Sequence, residues 1–126
     1  MRIRLENLTK QYQEVTAVDH LNLEIEDGTL VCLLGPSGCG KSTTLSIIAG
    51  LERATEGTIY FDEENVSGLE AEERDIGMVF QDYALYPHMT VQDNIAFPLK
   101  MQGWKKKDRI EKVKEAAKML QIEEYL

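Results

Sequence analysis

The chain has 126 residues, 43% of them hydrophobic and 29% charged, which is typical of one small globular domain. Its 22 acidic and 14 basic residues give a net charge of −8, which argues against a nucleic-acid surface as its main function. No apolar run approaches the ~20 residues of a membrane-spanning helix. Cys32 and Cys39 lie where no disulfide is expected, which favours a reducing, cytosolic compartment.

The N-terminal residues predict antiparallel strands. Residues 1–8 and 18–26 alternate between polar and apolar side chains, the pattern of half-exposed strands. The polar residues 7–14 predict a turn or hairpin that carries Tyr12. A second turn is predicted at residues 27–28, Asp-Gly, before the next strand.

A glycine-rich stretch follows, between an apolar run and a helical pattern. Residues 30–34 predict a parallel strand buried on both faces, because they are all apolar. Residues 35–42 fit the pattern G-x-x-x-x-G-K-[ST] of a phosphate-binding loop, or Walker A motif. Residues 41–49 predict a helix that ends at Gly50. Its predicted inner side carries Leu45, Ile48 and Ala49.

Such a loop binds phosphate mainly through its backbone. Glycine lacks a Cβ atom, so the chain can approach a ligand closely and point successive N–H groups at it. The helix N-terminus adds unpaired N–H groups and a partial positive charge. Lys41 can reach the β- and γ-phosphates, and Ser42 can ligate Mg²⁺. A glycine-rich turn without this function is disfavoured, because both flanking elements agree with the motif.

The next segments predict two more strands and an acidic connector. Residues 57–62 predict a short strand, and residues 63–73 predict a solvated charged surface rather than a metal site. Residues 76–80 predict a second buried strand that ends in Gln81. A polar residue at the carboxyl end of a parallel strand faces the ligand crevice of an α/β sheet. By itself, this position leaves the functional and structural interpretations of Gln81 equally open.

The C-terminal part predicts an aromatic loop and two helices. Residues 82–90 form either an exposed docking patch or part of the core, and the lone His88 is interpreted as structural. Thr90 predicts the N-cap of a helix through residue 101 that Pro98 disturbs. Residues 108–120 predict a helix that is N-capped by Asp108. Its apolar positions are Ile110, Val113, Ala117 and Leu120.

Three stretches resemble ATP-binding-cassette (ABC) transporter ATPases. Residues 35–43 resemble the Walker A motif of that family, residues 77–91 resemble its Q-loop region, and residues 94–100 continue the match. The run Leu-Tyr-Pro-His-Met-Thr is most similar to import ATPases of the maltose and glycerol-phosphate type, with polyamine and iron importers close behind.

The resemblance implies an α/β fold with a P-loop NTPase core, in which helices cover a mostly parallel sheet. An antiparallel β-subdomain would precede the core, and a helical subdomain would begin after it. Residues 1–126 would be the N-terminal part of one ABC ATPase domain. Residues 1–81 would form the β-subdomain and P-loop core, and residues 82–126 would form the Q-loop and the start of the helical subdomain.

The same resemblance implies ATP and Mg²⁺ as cofactors and gives a role to individual residues. Tyr12 would stack on adenine, and Gln81 would sense magnesium and the γ-phosphate. Lys41 would hold the β- and γ-phosphates, Ser42 the magnesium ion and Thr43 the α-phosphate. The predicted nucleotide-binding residues of the loop and helix are Ser37, Gly38, Cys39, Gly40, Lys41, Ser42, Thr43 and Thr44.

The implied function is the ATPase of an import system that couples Mg-ATP binding and hydrolysis to solute uptake, with a sugar as the favoured substrate. Transmembrane permease subunits would bind the loop at residues 83–89, and a second nucleotide-binding subunit would complete a dimer. The resemblance implies no nucleic-acid partner. It places the protein in the cytoplasm, peripheral to the inner face of the cell membrane.

Several family motifs do not occur in the sequence. The Walker B strand with its catalytic Glu, the Leu-Ser-Gly-Gly-Gln signature, the D-loop and the switch His have no counterpart, and His20 and His88 lie in other contexts. We therefore expect weak nucleotide binding, negligible hydrolysis, and an uncovered apolar surface beside residues 30–34. The alternative function is a non-hydrolysing nucleotide-binding or docking fragment. A P-loop kinase or GTPase fits poorly, because neither has a counterpart of the Gln81 segment.

Overall fold

The computed structural model describes residues 1–126, which form two compact units, Met1–Met78 and Val79–Leu126. The first unit contains a four-stranded sheet in the order β2-β1-β3-β4, and every neighbouring pair is antiparallel. The predicted division of the chain at residue 81 stays a prediction. The strands are β1 (Ile3–Tyr12), β2 (Val15–Ile25), β3 (Glu56–Phe61) and β4 (Glu64–Asn65).

The predicted antiparallel strands at the N-terminus are confirmed, but they are longer than expected. Residues 7–12, predicted as a turn or hairpin, continue β1, and Tyr12 pairs with Val15 across a two-residue connection. The register between β1 and β2 shifts three times, after Leu5, after Leu8 and after Lys10. Because such irregularities interrupt the alternation of side chains, the period-two pattern weakens where the strand continues.

The core of the first unit lies between the sheet and α1 (Lys41–Ala49). The helix ends at Gly50, as predicted, with a left-handed φ of 83°. Its buried residues are Thr44, Ile47 and Ala49. Of the predicted inner side, Ala49 is buried and Ile48 packs against the core, whereas the prediction for Leu45 is wrong, because Leu45 is exposed. The buried apolar side chains of the core cluster are Leu5, Leu8, Ile47, Ile59, Phe61 and Val66.

The predictions of buried strands at residues 30–34 and 76–80 are wrong. Neither segment pairs with a strand, and Leu30 and Leu34 are 92% and 90% exposed. An apolar run becomes a buried strand only where neighbouring strands pair with its backbone and other elements cover its faces. The expected uncovered apolar surface beside residues 30–34 stays a prediction, since the exposed apolar side chains found here, Leu30, Val31 and Leu34, belong to the segment itself.

The second unit contains α2 (Val91–Met101) and α3 (Lys106–Leu120), followed by a short 3₁₀ helix at Glu123–Tyr125. Thr90 caps α2 as predicted, since its hydroxyl oxygen accepts a 3.1 Å hydrogen bond from the Asp93 N–H. Pro98 lies inside α2 without ending it, although a proline there removes one ladder hydrogen bond and crowds the carbonyl four residues earlier. No helix is both long and apolar enough to span a membrane.

Helix α3 begins earlier than predicted. Its N-cap is Lys105, so Asp108 lies in the first turn and is not the cap. A carboxylate in the first turn still interacts favourably with the partial positive charge of the helix N-terminus. Of the predicted apolar positions, Val113 and Ala117 are buried and Leu120 is exposed.

Arg74 is a buried charged residue that holds the C-terminal end of α1. Its guanidinium donates hydrogen bonds to the carbonyls of Ile47 at 2.8 Å and Ile48 at 3.0 Å, and two more to the carbonyl of Leu69. The residue is 6% exposed, and burial lowers the pKa of the guanidinium. A cation at this end of a helix also complements the partial negative charge of its last carbonyls.

We expect Arg74→Met to lower the free energy of unfolding by about 2–4 kcal/mol, because one buried and two partly buried carbonyls lose a charged donor. Urea unfolding of the chain measures the change. Arg53→Met is the matched control, since Arg53 forms an exposed ion pair with Glu70 and such pairs contribute about 0–1 kcal/mol. Equal losses in the two variants would contradict the anchoring role of Arg74.

Candidate functional site

The glycine-rich loop leads directly into the N-terminus of α1. Gly40 is the N-cap, and its carbonyl accepts hydrogen bonds from the Thr44 N–H at 2.9 Å and the Thr44 hydroxyl at 2.8 Å. The N–H groups of Lys41, Ser42 and Thr43 have no carbonyl one turn earlier in the helix to bond. The first turn of α1 therefore presents three backbone donors that an anion can use.

Two glycines of this loop have different structural roles. Gly40 has a φ of 89°, and a Cβ there would lie 2.3 Å from the carbonyl oxygen of Ala17 in β2. Gly38 has a φ of 80°, but a Cβ there would meet no atom within 4 Å. Gly40 thus lets the loop pack against β2, whereas the backbone at Gly38 is open to a ligand.

Lys41 places its positive charge at the centre of the loop. Its ammonium donates hydrogen bonds to the carbonyls of Gly35 and Pro36, the second at 2.7 Å, and lies 3.3 Å from the sulfur of Cys39. The flanking Ser37 and Ser42 are exposed. This arrangement concentrates positive potential at the helix N-terminus, where a phosphate group has the most favourable electrostatic energy.

The other predicted nucleotide-binding residues lie in several places. Thr44 is buried with its hydroxyl bonded to Gly40, so its side chain stabilises the helix start. Tyr12 is the last residue of β1, and its ring is partly exposed. Gln81 belongs to the second unit, where it is exposed and begins a turn at residues 81–84. Its role, like those of the other site residues, stays a prediction.

The aromatic loop of the second unit is exposed at Tyr83 and Leu85. The Tyr86 ring packs against Phe97 of α2 at a centroid distance of 4.7 Å, and His88 is exposed beside it. The loop is thus attached to its helix through Tyr86 while its neighbours face solvent. Of the two sequence interpretations, the exposed patch agrees better with this geometry than a core segment does.

Asn94 of α2 holds this loop in shape, although the sequence analysis missed it. Its carbonyl oxygen accepts a 2.9 Å hydrogen bond from the Tyr86 N–H. Its amide group donates to the carbonyls of Tyr86 at 3.1 Å, Met89 at 3.3 Å and Thr90 at 2.9 Å. The sequence does show an Asn one turn after the Thr90 N-cap. The neighbouring residues, however, do not indicate that its side chain bonds the preceding loop.

Comparison with known proteins agrees with the phosphate-loop geometry. The family model for the ABC transporter matches residues 18–125, which is most of the chain. The chain belongs to the ABC transporter family. The chain is 50% identical to the sn-glycerol-3-phosphate import ATP-binding protein UgpC of Bartonella quintana. That match covers 98% of this chain but 36% of the relative, so the chain spans about a third of the length of its curated relatives.

Other relatives of this ABC transporter chain are named for the import of different solutes. It is 51% identical to the oligosaccharides import ATP-binding protein MsmX of Bacillus subtilis, over 98% of this chain and 34% of that protein. It is 48% identical to the Fe(3+) ions import ATP-binding protein FbpC 1 of Haemophilus influenzae, over 94% of this chain and 36% of that protein. The predicted membership of the ABC transporter family is therefore confirmed, and these relatives are named as import ATP-binding proteins.

Solved structures confirm the predicted ABC ATPase fold. A dimeric structure of the ATP-binding cassette MJ0796 in a post-hydrolysis state, bound to ADP and Pi, matches with a TM-score of 0.83 at 35% identity. The match covers 93% of this chain and 56% of that one. A second dimeric structure of MJ0796 matches with a TM-score of 0.82 at 36% identity, with the same coverage.

We expect Asn94→Asp to loosen the aromatic loop, because the carboxylate keeps the bond from the Tyr86 N–H but cannot donate to the three carbonyls. Hydrogen exchange at the Met89 amide should become roughly tenfold faster, equivalent to about 1.4 kcal/mol of local protection. Asn65→Asp is the matched control, since its side-chain oxygen only accepts a bond, from the Ser67 N–H. Unchanged exchange in Asn94→Asp would contradict this role.

Proposed function

We propose that this chain is the nucleotide-binding part of an ATPase subunit that powers an ABC import system. The observation that supports the proposal best is the start of α1, where open backbone at Gly38, three free N–H groups and the Lys41 ammonium converge. Together these groups suit the β- and γ-phosphates of a nucleotide. One structural neighbour is a cassette bound to ADP and Pi, which supports the same ligand class.

Each residue then has a distinct task at this site. Lys41 exchanges its bonds to loop carbonyls for bonds to the β- and γ-phosphates, and Thr43 contacts the α-phosphate. The exposed hydroxyl of Ser42 fits a ligand of Mg²⁺, which would balance phosphate charge when bound. Tyr12 provides an aromatic surface for adenine. For Gln81 we keep the role that the family resemblance implies, the sensing of magnesium and the γ-phosphate.

The substrate, partner and location that we propose for the whole protein follow from its role as an import ATPase subunit. Relatives are named for import of glycerol-3-phosphate, oligosaccharides and iron, so we propose solute uptake, with a sugar or sugar-like substrate favoured by the first two. The dimeric state of the structural neighbour supports pairing with a second nucleotide-binding subunit. The protein would then work in the cytoplasm, at the inner face of the cell membrane.

We propose further that this chain by itself binds nucleotide without appreciable turnover. Attack on the γ-phosphate needs a residue that orients or deprotonates a water molecule. The residues assigned to the phosphates are Lys41, Ser42 and Thr43, none of which is a carboxylate base. Mg-ATP hydrolysis by the purified chain at the rate of a complete ABC ATPase would contradict this part of the proposal.

We expect Lys41→Ala to weaken Mg-ATP binding roughly 10- to 100-fold, because charge-assisted bonds to phosphate oxygens are lost. Isothermal titration calorimetry of the chain measures the affinity. Lys106→Ala is the matched control, since Lys106 is an exposed lysine at the start of α3. Equal affinities in wild type and Lys41→Ala, with the fold retained, would remove the main support for nucleotide binding.

We also propose that permease subunits bind the exposed loop at residues 83–89. An exposed apolar patch on a protein of high charge is typical of a protein contact. Leu85→Asp should reduce co-purification of the full-length protein with the membrane subunits of its own import system at least tenfold, because a carboxylate would be desolvated there. Leu120→Asp, at an exposed leucine of α3, is the control. Equal recovery of both variants would show that the loop is not the docking surface.

A further inference from the structure

Lys10 of β1 contacts the aromatic residue that is proposed to receive the nucleobase. Its ammonium lies 4.9 Å from the centroid of the Tyr12 ring, within the range of a cation–π interaction. The same ammonium is 2.6 Å from a carboxylate oxygen of Glu52 and donates a 2.7 Å hydrogen bond to the carbonyl of Arg53. The Lys10 side chain is only 13% exposed, whereas the side chain of its partner Glu52 is 36% exposed.

The groups that hold Lys10 directly follow α1. The Glu52 N–H bonds the carbonyl of Ser46, within the last turn of that helix. The hydrogen bond from Lys10 is the main reason why the pKa of Glu52 lies below its ordinary value, with a smaller contribution from Tyr12. The position of the ammonium is therefore set by the C-terminal end of the helix whose N-terminus carries the phosphate loop.

The backbone on either side of Lys10 is fixed to the same segment. The Thr55 N–H donates to the carbonyl of Thr9 at 2.8 Å, and the Gln11 N–H donates to the Thr55 hydroxyl at 2.9 Å. The end of β1 is thus bonded to both the backbone and the side chain of Thr55. The Tyr12 ring is connected to the neighbouring residues Glu52 and Arg53 through Lys10. The ring itself stays 43% exposed, so a flat ligand can reach it.

We propose that Lys10 is a positioning residue that fixes the Tyr12 ring for stacking on the base of the nucleotide. This inference rests on the proposed nucleotide binding. A ring that is held in one orientation before binding does not have to be ordered when the base arrives, which favours association. Lys10 does not contact the nucleotide itself and acts only through Tyr12, so its effect is confined to ligands that carry a base.

Comparing ATP with inorganic tripolyphosphate separates this role from a general structural one. Both ligands use the phosphate loop, but only ATP has a base. We expect Lys10→Met to weaken ATP binding about three- to tenfold, the loss that corresponds to ordering one side chain, and to leave tripolyphosphate binding unchanged. Lys10→Arg should restore most of the ATP affinity, because a guanidinium also stacks on an aromatic ring and bonds a carboxylate.

Arg4→Met is the matched control. Arg4 lies in the same strand and stacks on Tyr60 at 4.5 Å, a similar cation–π contact on an aromatic residue outside the site. This variant should leave the affinities for ATP and tripolyphosphate unchanged. In a Tyr12→Ala background, Lys10→Met should have no further effect on ATP affinity, because the group through which Lys10 acts is gone.

A spectroscopic measurement tests the contact without any ligand. The ε-methylene protons of Lys10 should show an upfield ring-current shift in the wild-type chain, and Tyr12→Ala should abolish it. A missing shift overturns the inference. Unchanged ATP affinity in Lys10→Met, or an equal loss of ATP and tripolyphosphate affinity, overturns it as well.

The failures of the two proposals are distinguishable. If the wild-type chain binds neither ATP nor tripolyphosphate, the proposed function fails, and the inference fails with it. If both ligands bind and Lys41→Ala weakens both, the phosphate site stands. In that case, an ATP affinity that falls in Tyr12→Ala but is unchanged in Lys10→Met overturns the inference alone.

Discussion

The first unit of the chain holds helix α1 at both ends while the N–H groups of its first turn stay free. Gly40 allows the loop to approach β2, where a side chain would collide with the carbonyl of Ala17. At the other end, Arg74 binds the last carbonyls, and Glu52 connects the helix to β1 through Lys10. A fixed helix keeps its backbone donors in place for an anion without a cost of reorganisation when the anion binds.

Side-chain bonds to main-chain groups recur wherever the chain is irregular. Arg74 donates to three carbonyls in the first unit, and Asn94 makes four such bonds in the second. Segments without helical or sheet hydrogen bonds must satisfy their backbone polar groups in another way, and a guanidinium or a carboxamide offers several donors at once. Arg74 therefore fixes the end of α1, and Asn94 fixes the aromatic loop, neither of which helix or strand propensities predict.

The exposed apolar segments have a common physical explanation. Residues 30–34 and the loop that contains Tyr83 and Leu85 are rich in side chains that bury well, yet they have little cover here. The chain spans about a third of its curated relatives. Apolar composition shows that a segment prefers to be covered, whereas burial depends on elements elsewhere in an assembly or a longer chain.

Local patterns in the sequence were enough to predict the family, the glycine-rich loop before α1, the strand near residues 57–62, the end of α1 at Gly50 and the cap at Thr90. Each of these depends on local chemistry: glycine conformations, a short polar cap, or a fixed motif spacing. The pairing of β1 beyond Leu8, the exposure of residues 30–34, and the contacts of Lys10, Arg74 and Asn94 became visible only in the folded chain. These features depend on groups that are distant in sequence or on cover from other elements. A local pattern of side chains shows neither the distant partners nor the covering elements.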